Sequence, residues 1–168
     1  GAPITEETGQ VVDGVIVPYD GAISNLARTA IPVSELNNEI NNSLASAIVM
    51  LDSCFSGQGA VMIPGVRGLT IQPSTALIQS NQVNKVFFTG AGHDQFSNDY
   101  ETEEHGLFTY YILQGLGDKR ADSDFDGYIS MGELYRYLQA NVTRISSSLI
   151  GFQEPQIYGQ GLNLVINP

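Results

Sequence analysis

Short apolar runs separated by longer amphipathic stretches set the rhythm of this chain. Val15-Ile16-Val17 is a β-branched run stopped by Pro18, with Tyr19-Asp20-Gly21 as a turn behind it, and predicts a short strand. From Pro32-Val33-Ser34-Glu35-Leu36 through Ile40 to Leu44 the pattern is helical, with Ser34 as the candidate cap. Ala47 to Leu51 and Val86-Phe87-Phe88-Thr89 are continuous apolar runs of strand length, the second of the kind buried on both faces. Gly106-Leu107-Phe108 to Leu116 and Met131 to Val142 read as helices, and Leu162-Asn163-Leu164-Val165-Ile166 as a closing strand. Alternating strands and helices predict an α/β layered sheet. Between Ser56 and Asn84 the pattern fails. Gly57, Gly59, Pro64, Gly65, Gly68 and Pro73 leave a long loop with room for one short helix over Thr75 to Ser80. Loops beyond about 12–15 residues are uncommon unless they are functional or disordered. No internal repeat or low-complexity segment interrupts the chain.

A length of 168 residues suits one domain with a sizeable core, and the apolar and charged fractions, 42% and 15%, are those of an ordinary globular protein. No run approaches the ~18 apolar residues that span a bilayer. Gly1-Ala2-Pro3 opens without Met, as expected of a processed, tagged or cut chain; no signal peptide is visible, a soluble protein is expected, and the compartment stays open. Seven basic residues against 18 acidic ones give a net charge of −11. That surface repels nucleic acid and anionic membranes and suits basic peptides or cations. A single cysteine excludes an internal disulfide. Asn41-Asn42-Ser43 and Asn141-Val142-Thr143 fit the glycosylation pattern, at a length where chance matches are expected.

The lone cysteine, Cys54, stands in Asp52-Ser53-Cys54-Phe55-Ser56-Gly57, directly after the Ala47–Leu51 run. The carboxyl edge of an open α/β sheet is where functional crevices form; the alternative is a small buried residue beside a turn. The Asp-Ser-Cys-x-Ser-Gly run resembles the nucleophile segment of metacaspase-type and bacterial caspase-like cysteine peptidases. Further segments are similar in the family's order: Val17-Pro18-Tyr19-Asp20, Val86 to Gly90, Gly106-Leu107-Phe108-Thr109-Tyr110-Tyr111, the acidic stretch Asp122 to Tyr137, and Gln153-Glu154-Pro155-Gln156. The resemblance runs from about Val12 to the C-terminus. It implies one partial peptidase domain over residues 1–168, a three-layer α/β/α sandwich with a mostly parallel sheet, and a linker loop over 57–84.

The resemblance also implies a catalytic His about 50 residues before the cysteine. No His occurs from Gly1 to Ser53. The expectation is therefore that an N-terminal segment or chain supplies the His together with the sheet's first strands, and that this chain alone exposes a raw sheet edge. His93 follows a strand and a Gly-rich turn but comes after the cysteine, where the family places a substrate-groove loop. His105 precedes a helix in an acidic stretch and reads as a solvated residue.

Asp122-Ser123-Asp124-Phe125-Asp126-Gly127-Tyr128-Ile129-Ser130-Met131-Gly132-Glu133 matches an EF-hand loop at each diagnostic position. Asp122, Asp124, Asp126, the Tyr128 carbonyl and Glu133 are the candidate ligands of a structural Ca2+; the alternative is an acidic helix cap that binds nothing. The resemblance gives Asp52 a role in binding a substrate Arg or Lys, for which a carboxylate in a concave site is suited. It also implies processing in the linker loop, where Arg67 is the one basic residue. The expected function is a cysteine endopeptidase acting on peptide or protein substrates after Arg or Lys, with Cys54 as nucleophile. The rivals are an inactive caspase-fold scaffold and a calcium-dependent binding module.

Overall fold

The computed structural model describes residues 2–5, 11–18, 20–52, 84–92, 95, 97–149 and 151–166. Strands β1 (Ala2–Thr5), β2 (Val11–Ile16) and β3 (Ile31–Pro32) form an antiparallel sheet in that order. A one-turn helix, α1 (Leu26–Thr29), lies between the last two, and α2 (Val33–Asn42) follows directly. The central sheet has the order β4 (Ala47–Leu51), β5 (Lys85–Thr89), β9 (Gln156–Gln160). β4 and β5 run parallel with Ile48 beside Val86 and Met50 beside Phe88, whereas β9 returns antiparallel along β5. Two short pairs complete the strands among the described residues: β6 (Asp99–Tyr100) with β7 (His105–Gly106), and β8 (Ile129–Ser130) with β10 (Val165–Ile166). α3 (Leu107–Gly117) and α4 (Met131–Ser146) are the long helices of the second half.

Burial along β5 explains the layering. All five of its positions are buried, and side chains alternate between faces. Val86 and Phe88 point into the main core, formed with Leu107, Phe108 and Tyr111 of α3 and Met131, Leu134, Leu138 and Val142 of α4. Phe88 meets Tyr135 edge to face at 6.0 Å. Helices α3 and α4 approach closely at Gly115, where an added Cβ would touch Tyr137 and Leu134. On the opposite face Leu51 packs with Val33 and Ile16. Lys85, buried on that side, donates from Nζ to the carbonyls of Ile40 and Ser43 at the end of α2. A cation there satisfies carbonyls that the last helical turn leaves open. Helices therefore cover both faces of the β4-β5-β9 sheet.

Four local expectations change. Ser34 is not the cap of α2: the helix starts at Val33, and the Ser34 hydroxyl donates to Asp13 of β2 instead, a sheet-to-helix bond invisible to local pattern. The expected strand Leu162–Ile166 shrinks to Val165–Ile166 and pairs with β8 rather than with the central sheet. The third central strand is β9, whose Gln-Ile-Tyr-Gly-Gln composition carries little apolar signal. Nor does local pattern predict β1. No helix among the described residues is long and apolar enough to cross a membrane.

Candidate functional site

β4 ends at Leu51, and the next residue, Asp52, sits at the carboxyl end of the parallel pair. Gly90 N–H donates to the Leu51 carbonyl at 2.8 Å, which holds the chain after β5 beside the chain after β4. The Asp52 side chain is exposed, yet its direction is set by three donors. Ser97 Oγ donates to Oδ1 at 2.6 Å; the Thr109 amide and hydroxyl donate to Oδ2 at 3.1 and 2.5 Å. Thr109 lies in the first turn of α3, where backbone N–H groups lack helical partners and favour an anion. Two glycines make room: a Cβ at Gly106 would collide with Asp52 Oδ2, and one at Gly90 would come within 3.2 Å of Oδ1. Hydroxyl and amide donors orient a carboxylate without neutralising its charge, so the site presents a fixed, exposed negative charge.

A second carboxylate cluster lies in the loop before α4. Oxygens of Asp122, Asp124 and Asp126 come within 4.8 Å of one another. Local bonds wind the loop: Gly127 N–H donates to Asp122 Oδ2 at 3.0 Å, Asp126 N–H to Asp124 Oδ1 at 3.2 Å, and Tyr128 N–H to Asp126 Oδ1 at 2.8 Å. The turn needs positive φ at Gly127, +89°, which only glycine adopts freely. Asp122 Oδ1 is buried without a hydrogen-bond partner. Ile129, fully buried, anchors the loop through β8 to β10.

Glu133 is not brought into the aspartate group. Its Oε1 accepts from the Ser123 amide at 3.0 Å and hydroxyl at 2.8 Å, and its Oε2 from the Ser130 amide at 3.0 Å and hydroxyl at 2.9 Å. Ser130 Oγ in turn receives the Glu133 N–H, completing a capping box at the start of α4. The Ser130 amide bond, followed by the Ser123 and Ser130 hydroxyls and the Ser123 amide, pulls the Glu133 carboxyl down to about 2.

Of the residues singled out in the sequence, Cys54, Arg67 and His93, with the 57–84 loop short of Asn84, lie outside the described residues. His105 is exposed in β7. The sequence gives Ser97, Thr109 and Gly106 no role of their own: nothing local in Gly106-Leu107-Phe108-Thr109 points to Asp52, 57 residues before Thr109.

The family model for the caspase domain matches residues 2–164. This chain belongs to the caspase family. No match is found among curated proteins or solved structures. The α/β fold is thus that of a caspase domain, and the family is one of cysteine peptidases, which act on protein substrates.

Proposed function

We propose that this caspase-family chain is the cysteine-bearing part of an endopeptidase that cuts after arginine or lysine. The observation carrying the proposal is the Asp52 carboxylate, exposed at the carboxyl edge of the sheet and oriented by Ser97 and Thr109. A guanidinium or ammonium fits such an anion by Coulomb attraction and charge-assisted hydrogen bonds. Cys54, two residues on, would attack the scissile carbonyl as a thiolate. A His from an N-terminal segment would take the thiol proton and return it to the leaving amine. The Cys54 amide and the glycine after that His would hold the oxyanion. The edge position of β4 supports the need for such a segment. Its residues are half-exposed or exposed where β5 is buried throughout, and among the described residues it pairs on one side only.

Calcium is part of the same reading. Asp122, Asp124 and Asp126 with the Tyr128 carbonyl would hold the ion, and the partnerless Asp122 Oδ1 fits that role. Glu133 would have to release one of its serine partners to join them. Bound there, the ion supplies charge neutralisation and stiffens the start of α4. Processing is assigned to Arg67 in the linker loop, the site that the enzyme's own preference would select.

The experiment is turnover of fluorogenic peptides ending in arginine, lysine, citrulline or aspartate by the full-length protein. Turnover confined to arginine and lysine, and abolished by Cys54→Ala, supports the proposal. Equal turnover of the aspartate peptide removes the role of Asp52. No turnover by a protein carrying its catalytic His favours the inactive scaffold.

A further inference from the structure

Gln153 has zero exposure and lies in the segment between α4 and β9. Packing alone would be served by leucine or methionine; a buried carboxamide is tolerated only when its bonds are made. Here all four of its hydrogen-bonding positions are used. Oε1 accepts from the Asn98 amide at 2.7 Å and from the Asn98 side chain at 3.0 Å. Nε2 donates to the Gly90 carbonyl at 2.8 Å and to Ser97 Oγ at 3.5 Å. The Gln153 backbone is itself pinned to the end of α4, donating to Ser146 Oγ at 2.9 Å and accepting from it at 3.0 Å.

These contacts converge on the Asp52 site from behind. Gly90 follows β5, and its own amide bonds the Leu51 carbonyl next to Asp52. Asn98 also receives the Leu107 N–H on its carbonyl at 2.8 Å, which sets the start of α3 and hence Thr109. Ser97 carries one hydroxyl proton and gives it to Asp52 Oδ1. It can do so while also contacting Gln153 only because the carboxamide offers an N–H there rather than an oxygen. The polarity runs one way, from Gln153 through Ser97 to Asp52.

We propose that Gln153 is a positioning residue for basic-substrate selection: its buried carboxamide sets Gly90, Ser97 and Asn98, and through the Ser97 hydroxyl it aims the Asp52 carboxylate. The inference rests on the reading of Asp52 as the arginine-binding group. Gln153→Glu keeps the shape but removes the N–H donors. The Gly90 carbonyl then faces an oxygen, and the new carboxylate competes with Asp52 for the Ser97 proton. Ser97→Ala cuts the same link at the site without disturbing the core.

The test measures binding by calorimetry of two peptides, one ending in arginine and one in citrulline, to the full-length protein made inert by Cys54→Ala. The readout is the ratio of the two affinities, since a purely structural defect lowers both together. Asp52→Asn is expected to abolish the arginine preference. Ser97→Ala is expected to reduce it about tenfold, the scale of one hydrogen bond to a charged group, and Gln153→Glu at least as much. A parent-like ratio in Gln153→Glu, or in Ser97→Ala should the first variant not fold, overturns the role of Gln153 while leaving Asp52 in place. A parent-like ratio in Asp52→Asn overturns the reading of Asp52 and this proposal with it.

Discussion

Asp52 and the aspartates of the 122–133 loop both present negative charge, and the two sites are built in opposite ways. Around Asp52 the donors come from 45 and 57 residues away, on the chain after β5 and on α3. In the loop the stabilising bonds span two, five or ten residues. The first site exists only when β4, β5 and α3 are docked, so its energetics are coupled to the core of Phe88, Leu107 and Phe108. The second needs one turn, a glycine at positive φ and the anchor of Ile129. On the proposed function, selectivity would depend on long-range assembly, whereas cation affinity would be a property of a short segment attached to that assembly.

That contrast can be broken most sharply at the Asp52 site. Asp52→Asn is expected to reduce kcat/KM for arginine peptides about 100-fold, the scale of a truncated charge pair in a binding site. Gly106→Ala should do nearly the same with Asp52 itself retained, because its Cβ would collide with Oδ2 and displace the carboxylate. Neither substitution should alter calcium binding, which titration calorimetry would check.

In the loop, saturating calcium should raise the melting temperature, because a ligand at 100 times its Kd stabilises the folded state by about 2.7 kcal/mol. Asp122→Ala should remove most of that shift while leaving the arginine preference intact. An unchanged melting temperature at millimolar calcium would leave the acidic-cap reading. Ser130→Ala breaks the capping box and should cost about 1 kcal/mol in urea unfolding, with or without calcium.

The response to acid is the most specific to the loop. The Glu133 carboxyl lies at about 2 in the folded chain against 4.5 ordinarily. Its contribution to stability is therefore complete above pH ~4.5 and is lost as pH falls toward 2, where the folded carboxylate takes up a proton. Glu133→Gln should flatten the stability profile across that window alone. An unaltered acid limb would show that the four serine bonds do not act in solution.

The sequence alone determined whatever depends on neighbours in the chain. The apolar runs at Ala47–Leu51 and Val86–Thr89 are strands, the 107–116 and 131–142 stretches are helices, and Asp122, Asp124 and Asp126 cluster beside the turn at Gly127. The order of motifs also sufficed for the family. A remote partner overrides the local signal at Ser34, which bonds Asp13 rather than capping its helix, and near neighbours, Ser123 and Ser130, hold Glu133. β9 was missed because an antiparallel strand of Gln, Gly and Tyr is made by β5 beside it, not by its own hydrophobicity. The Asp52 cradle and the buried Gln153 behind it were decided by tertiary structure alone. Hydrogen bonds between residues 45 to 63 positions apart form only after the sheet and α3 have closed, and no periodicity in the chain encodes their meeting.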